Sequence, residues 1–514
     1  MGIKAKNSNK RVSEVITIDE IKKWDKGDII TVKAGTGKGK SYFIKNLLYA
    51  FAKKRNKKIL FLIHRINCVN QFEKEIIRDK KTDVIDIKTY QKIEALYNNH
   101  KKSFNFSEYE YIVCDEFHYF MSDAAFNKTT DISLNLILEE NDKTKIFMSA
   151  TGDYMKAYIN NVKNKETNDY ELPIKYDFIE ELTFFNKDET IEKFIKKAIE
   201  KKIKTIFFIQ SATKAYNFYK KYKRNCLFNC GKSDKHYKYV DKNKIDNMLE
   251  NERFDDLILI TTTCMDAGVN IKDEEVEHVV CDVKDIGVLI QCIGRKRIQN
   301  SKEKIYLYIK TITNKQLGGM KSQLKLKVAK ADYLRKHTVK EYILKYPRQN
   351  DINNIVYADI VEEADKSTHK VNELMYFKCI CDCANIGTML FYKKFGYCKY
   401  IADMFGFIDQ QGYPDYDIID ERYKKKTLED YLESIVGKKL YRNEQKKLAK
   451  RVNIKRNGRL LKSAESLNSC FKEEKIHYIV DNNKGNVDWR RKLEDGSNNK
   501  YRGKKYWIVF KLVS

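Results

Sequence analysis

Apolar runs and amphipathic stretches alternate along the first 310 residues of the chain. Ile29 to Val32 is an apolar-rich run. It is followed, from Tyr42 to Lys57, by a segment whose Phe43, Leu47, Leu48 and Phe51 fall at helical spacing and whose basic end suits a helix dipole. Lys58 to Ile63, Val84 to Ile87, Tyr111 to Cys114 and Lys145 to Met148 are further short apolar runs of strand character. Strands alternating with helices predict a parallel sheet with crossover helices. Periodicity fades from Glu180 to Phe185, which is expected to link this half to a second one. The pattern resumes with a helix over Glu189 to Lys201 and buried-strand runs at Thr205 to Ile209 and Asp256 to Ile260.

The flanks read differently. Residues 1–12 are polar and expected to be loose, and Ile16 to Trp24 forms a short helix ahead of the first strand. A long basic helix is predicted over Leu317 to Lys345, within a helical accessory region at 316–435. Tyr441 to Arg451 and Leu460 to Phe471 read as helices, and Ile476 to Val480 and Tyr506 to Val513 as strands separated by a basic loop with Trp489, Arg490 and Arg491. Two helices followed by a two-stranded wing resemble a winged-helix nucleic-acid-binding domain over 436–514, with Lys462, Ser466, Ser469 and Lys472 on an exposed face. A generic α+β module with solvated lysines is the alternative.

Candidate chemistry concentrates at strand ends. Ala34-Gly35-Thr36-Gly37-Lys38-Gly39-Lys40-Ser41 follows the first strand and is built to cradle a polyphosphate. Gly37 and Gly39 let backbone N–H groups turn inward around it together with Lys38, Lys40 reaches the terminal phosphates, and the Ser41 hydroxyl can ligate Mg²⁺. Seventy-five positions after Lys40, a strand ends in Asp115-Glu116-Phe117-His118. Asp115 is placed to hold Mg²⁺ through its water shell, and Glu116 to orient and deprotonate an attacking water. Ser149 and Thr151, after the strand that ends at Met148, carry small hydroxyls that could relay the state of the nucleotide by hydrogen bonds.

In this order, Ala-x-x-Gly-x-Gly-Lys-Ser, Asp-Glu-x-His and Ser-Ala-Thr resemble the first three motifs of superfamily 2 helicases of the Asp-Glu-x-His type, over about residues 28–310. The resemblance implies an α/β fold of two tandem RecA-like P-loop domains, 1–180 and 185–315, with ATP and Mg²⁺ between them and the C-terminal α+β accessory region beyond. It implies a coupling role for His118, Ser149 and Thr151, and nucleic-acid contacts for Arg65, Thr89, Gln210, Ser211 and Thr262. Thr262 stands six residues before Gly268, as in the fifth motif, where Gly268 permits close approach to the nucleotide and Asn270 takes the place of a ribose-contacting or arginine-contacting group. Gln291-Cys292-Ile293-Gly294-Arg295-Lys296-Arg297 resembles the sixth motif. Arg295 matches its first arginine, but the second belongs at position 298, which is Ile298, so the arginine reaching the γ-phosphate is Arg295, Arg297 or both. Cys292 replaces an arginine common in the family, and no glutamine precedes Gln71, which argues against the Asp-Glu-Ala-Asp-box subgroup. The implied activity is that of an ATP-hydrolysing helicase or translocase on nucleic acid, with DNA favoured. An RNA helicase and an ATP-gated binding clamp are the alternatives, and replication or recombination proteins are candidate partners.

Composition adds little to this. The formal charge of +28, from 100 Lys and Arg against 72 Asp and Glu, suits a polyanionic partner. With three prolines and abundant Lys, Asn, Ile and Tyr, part of that charge reflects an AT-rich coding sequence, so the position of charge weighs more than its total. Twelve cysteines, scattered and many within apolar runs, suit a reducing cytoplasm of a bacterial cell or phage-infected host. Cys226, Cys230 and His236, and separately Cys379, Cys381, Cys383 and Cys398, lack the paired spacing of a zinc site and read as packing. No apolar signal core or myristoylation pattern is evident, and no window approaches the ~20 apolar residues of a membrane span.

Overall fold

The computed structural model describes residues 3–4, 10–35, 37–64, 66–100, 104–125, 127, 129–265, 269–300, 302–347, 355–361, 366–408, 414–456, 459–493 and 497–512. The chain divides into two compact units, Met1–Tyr416 and Asp417–Ser514. The first unit holds two parallel sheets. One is built from β1 (Ile3–Lys4), β2 (Ile29–Lys33), β3 (Lys58–Ile63), β4 (Ile85–Thr89), β5 (Tyr109–Asp115), β6 (Thr144–Ser149) and β7 (Asn168–Glu171), in the order β1-β7-β2-β6-β5-β3-β4. Successive residues of β3 serve opposite cores: Ile59, Phe61 and Ile63 pack with Val32, Phe43 and Leu48, while Leu60 and Leu62 pack with Ile112, Cys114 and Tyr119. Burial on both faces explains why the strands read as continuous apolar runs.

The other sheet runs β10-β11-β9-β12-β13-β8, from β8 (Ile179–Phe185), β9 (Lys204–Ile209), β10 (Cys226–Asn229), β11 (Ile258–Thr261), β12 (Val276–Asp282) and β13 (Ile305–Lys310), again in parallel pairs. The fold is thus α/β with two tandem parallel sheets, as expected of RecA-like domains. The segment expected as a linker, 180–185, is instead strand: β8 pairs with β13, and Leu182 to Phe185 are buried. A strand covered on both faces shows no alternation, so the absence of periodicity there signalled burial rather than a loop.

Other departures have local causes. Val12 and Ile16 are fully buried beneath the first sheet's helices, so the chain is already packed at position 12, and the helix expected over Ile16 to Trp24 contracts to Ile18–Ile21. The single helix predicted over Leu317 to Lys345 is two, Asn314–Lys336 and Val339–Lys345, because Thr338 and Glu341 form a capping box that starts a new helix. An antiparallel hairpin, Val356–Val361 with Lys366–Val371, interrupts the region read as helical. Helix Glu373–Phe391 is, by length and composition alone, apolar enough to cross a membrane, contrary to expectation. Its Leu374, Met375 and Cys379 lie in the same core as Tyr119, Leu134 and Tyr158, together with Ala331, Leu334 and Tyr342. The chain that leaves the second sheet therefore returns to cover a face of the first. From there Lys378 Nζ reaches Asp285 Oδ2 of the second half at 3.3 Å and Asp382 Oδ2 at 2.7 Å.

The second unit packs helices Ile419–Ile435, Arg442–Val452 and Ala464–Glu473 with the antiparallel strands Tyr478–Asp481 and Ile508–Lys511, around Leu432, Leu448, Leu467, Phe471, Val480 and Val509. The first of these helices was read as the end of the accessory region, whereas it belongs to this core. Leu460 pairs with Lys455 in a short hairpin, and the last helix starts only after Ser463, whose Oγ accepts from Ser466 N at 3.2 Å. Lys462, Ser469 and Lys472 are exposed, as expected, and Ser466 is half-buried.

The loop between the two strands is organised by Asp488, which is 1 % exposed. Its carboxylate accepts from Arg490 Nε (3.1 Å) and Nη2 (2.9 Å) and from the Tyr441 hydroxyl (2.6 Å), with Lys439 Nζ at 3.3 Å. Arg490 first, then Tyr441 and Lys439, hold the Asp488 carboxyl far below the usual range against the opposing effect of burial. Asp488→Asn is expected to lower the thermal unfolding midpoint of this unit by roughly 5 °C at pH 7. Because the folded pKa is depressed, the difference from the parent is full above the unfolded value of about 4 and shrinks as pH falls below it. Differential scanning calorimetry of both chains across pH 3–7 checks this, and a difference that grows on acidification would contradict it.

Candidate active site

β2, β6 and β5 are neighbours in the first sheet, with Lys33 opposite Ser149 and Met148 opposite Asp115. This adjacency brings the loop at 34–41, Ser149 to Thr151 and the Asp115-Glu116 pair to one edge, at the carboxyl ends of the strands, where parallel sheets form their binding crevices. Gly37 and Gly39 both have φ of +82°, a left-handed backbone that suits glycine. Gly39 leads into the helical turn Lys40–Tyr42, which continues as a π-helical stretch, Phe43–Leu48, in place of the regular helix expected. Lys40 is buried and its Nζ donates to Ala34 O at 2.9 Å, while Ser41 is exposed at the helix start. Burial, with Lys175 nearby, lowers the pKa of Lys38. The amino-terminal segment braces this loop: Val12 N donates to Lys38 O at 2.9 Å, and Arg11 lies against Gly39. The sequence reading missed this brace, although Val12, Val15 and Ile16 at helical spacing signal it.

The two carboxylates are driven apart electrostatically. Burial and the adjacent Glu116 push Asp115 up to about 7. For Glu116, burial acts in the same direction but is outweighed by Lys40, His118 and Arg295, which hold it well below the usual range. Asp115 Oδ1 is buried with no hydrogen-bond partner among the described residues. A buried carboxyl oxygen with no partner, whose ionised form burial and Glu116 disfavour, is what a divalent cation would stabilise, so Asp115 meets the donor chemistry expected for Mg²⁺. Glu116 itself sits at φ +49°, an unfavourable backbone for this residue type that marks a tightly constrained strand end.

A hydrogen-bonded path leaves Glu116 and crosses to the second half. Ser149 Oγ lies 3.2 Å from Glu116 Oε2 and 2.9 Å from His118 Nδ1, and accepts from Thr151 N at 3.0 Å. His118 Nδ1 is also 3.3 Å from Glu116 Oε2. Gln291 Nε2 donates to Thr151 Oγ1 at 3.3 Å, and Gln291 Oε1 accepts from Arg295 Nη2 at 2.7 Å.

The two arginines of this segment differ. Arg295 is spent within its own half, with Nε on Gln291 O (3.1 Å) and Nη1 on Val269 O (3.3 Å). Arg297 is anchored through Nε, which donates to Asn270 Oδ1 at 2.7 Å. Its Nη1 is buried with no partner among the described residues and lies 3.9 Å from where a Cβ on Gly37 would stand. Burial and Arg295 push its pKa down to about 9, so an anion in the cleft would relieve an under-compensated cation. Of the two roles open for Asn270, the geometry shows the arginine contact; its Nδ2 donates to Glu252 Oε1 at 3.0 Å.

The remaining candidates lie at strand ends but are engaged locally. Thr89 Oγ1 accepts from Lys92 N (3.1 Å), Ser211 Oγ from Lys214 N (3.3 Å), Thr262 Oγ1 from Cys264 N (3.4 Å), and Gln210 Oε1 from Lys284 N (3.2 Å). Arg65 and Gly268 lie outside the described residues. Cys226 and Cys230 are buried, with burial raising their thiols to about 12 and about 11, and His236 pairs with Asp234. Cys379 is buried and Cys381 and Cys383 half-buried on one helix; the described residues contain no cluster of three metal-ligating side chains.

No protein-family model matches the chain. No curated protein sequence matches it significantly. Among solved structures, it is similar to Mss116p bound to single-stranded RNA and AMP-PNP, with 14 % identity over 65 % of this chain and 81 % of that one and a TM-score of 0.44. It is also similar to Saccharomyces cerevisiae Dbp5 bound to RNA and ADP BeF3, with 18 % identity over 55 % and 79 % of the two chains and a TM-score of 0.42. A third is the DUF1998 helicase MrfA bound to DNA and AMPPNP, with 14 % identity over 65 % and 50 % and a TM-score of 0.42. At these identities the likeness concerns the fold.

Proposed function

We propose that this chain is an ATP-dependent helicase or translocase that moves along a single nucleic-acid strand, with DNA as its track. The observation that carries the reading is the path from Glu116 through Ser149, Thr151 and Gln291 to Arg295, which ties the carboxylate beside the phosphate loop to the other half of the cleft.

In this reading the backbone of Gly37 to Ser41 and the Lys40 ammonium hold the triphosphate, and Ser41 and Asp115 hold Mg²⁺. Bound there, Mg²⁺ would neutralise phosphate charge as it develops. Glu116, kept ionised by Lys40 and His118, receives the proton of the attacking water. Arg297 approaches from the other half, so hydrolysis depends on the two halves being closed. Loss of the anion that Arg297 faces frees the second half to part from the first, breaking the Gln291–Thr151 bond and shifting the strand ends at Thr89, Gln210, Ser211 and Thr262, one half against the other. Affinity for the strand then comes from phosphate contacts without sequence preference.

The test is ATP hydrolysis by the full chain with single-stranded DNA, duplex DNA or RNA at one salt concentration. Single-stranded DNA is expected to stimulate most; stronger stimulation by RNA reassigns the track, and none by any of the three overturns the motor. Lys40→Ala is expected to abolish turnover in the same assay, and substantial remaining hydrolysis would remove the phosphate loop from the mechanism.

A further inference from the structure

The loop between the last two strands of the second unit presents a tryptophan to solvent. Trp489 is 71 % exposed, unusual for the largest apolar side chain, and it follows Asp488, the most buried of the loop's described residues. The backbone on either side is pinned: Asp488 N donates to Lys504 O (3.1 Å), Gly503 N to Asp488 O (2.7 Å), and Asn499 Nδ2 to Arg490 O (3.0 Å). Gly503, at φ +72°, passes beneath the indole, with Cζ3 4.0 Å from where its Cβ would stand. One side of the ring is therefore backed by the loop while most of its surface stays open to solvent. The ring is held out by a built scaffold rather than left over from an unfinished core.

Its surroundings select the partner. Residues 482–506 carry eight lysines and arginines against three acidic residues. Arg491 and Lys492 follow Trp489 closely in sequence, Arg502 and Lys504 flank Gly503 with Lys505 next, and all five are exposed. Among the described residues of the loop Trp489 is the one exposed large apolar side chain, while Ile479, Phe510 and Leu512 are exposed on or just after the two strands; a single planar aromatic in a run of cations matches a base flanked by phosphates. We infer that Trp489 is a stacking platform for an unpaired base of a nucleic-acid strand, with Arg491, Lys492, Arg502, Lys504 and Lys505 holding the adjacent phosphates. This rests on the reading that the chain works on nucleic acid, and adds to it a second contact outside the strand ends of the two sheets.

The experiment measures binding of the full chain to oligothymidylate and to an abasic strand of equal length at fixed salt. Trp489→Ala is expected to weaken binding of the base-bearing strand about tenfold, in the range found for base–aromatic stacking, and to leave the abasic strand unchanged. Trp489→Phe is expected to restore most of the affinity. Arg491→Ala is expected instead to weaken both strands and to reduce the salt slope by about one. Equal loss on both strands, or none, overturns the platform. So does a Trp489→Ala loss seen on anionic phosphatidylserine vesicles and not on the strands. If the parent chain discriminates base-bearing from abasic strands through Trp489 but no strand stimulates its ATP hydrolysis, the platform stands and the motor falls; stimulation with no effect of Trp489 gives the reverse.

Discussion

Arg297→Ala is expected to lower the maximal rate of ATP hydrolysis by about 10³-fold with nucleotide affinity changed far less, the behaviour of a cation that acts on the transition state from across a cleft. The sequence alone left Arg295 and Arg297 equally eligible. In the structure Arg295 has committed its donors to Gln291 and Val269, while Arg297 turns an unpartnered Nη1 toward Gly37. Arg295→Ala should behave differently: Gln291 loses the group that orients it, so strand stimulation falls, and a buried hydrogen-bonded charge is lost, so the unfolding midpoint falls too. Single-turnover hydrolysis alongside calorimetry separates the two. A neutral Arg297→Ala beside a chemically dead but fully stable Arg295→Ala would reverse the assignment.

Glu116→Gln is expected to cut turnover by about 10²–10⁴-fold while nucleotide and strand binding persist, because the amide keeps the shape of the side chain and loses only its basicity. The contacts to Ser149 and His118 can survive with an amide oxygen in place of the carboxylate, so the path to Gln291 remains intact. Equilibrium binding of a fluorescent ATP analogue, measured beside steady-state hydrolysis, checks this. Loss of nucleotide binding with turnover would mean that Glu116 organises the loop instead of the water.

The parts of the site readable in the sequence are those made by consecutive residues. Gly37 and Gly39 take a left-handed backbone, Lys40 and Ser41 follow on a helical turn that starts two residues before the expected Tyr42, and Asp115 ends an apolar strand; all of this is local. The misreadings arise where a local pattern has two tertiary meanings. The segment 180–185 lacks alternation because Leu182 to Phe185 of β8 are covered on both faces, which in sequence looks like a linker. Helix Glu373–Phe391 is apolar because it packs against the first half while Lys378 reaches Asp285 of the second, yet the same composition would suit a membrane span. Val12 stands at the end of a polar stretch where its helical spacing with Val15 and Ile16 was the available signal, and its burial and its bond to Lys38 O show that the chain braces the loop at 34–41 so early.

By itself the sequence determined the glycine turn after the first strand, the acidic pair at the end of another and the alternation that makes two parallel sheets, because backbone conformation and burial of a strand depend on residues next to one another. Only the tertiary structure decided which arginine faces the loop, since the acceptors that occupy Arg295, on Gln291 and Val269, and the one that holds Arg297, on Asn270, are fixed by how the second half packs, and Gly37 stands some 260 positions from Arg297. Only it, too, showed that Trp489 is held outward. An indole in a basic loop reads the same whether buried or exposed, until Asp488 is seen to pin the backbone beneath it.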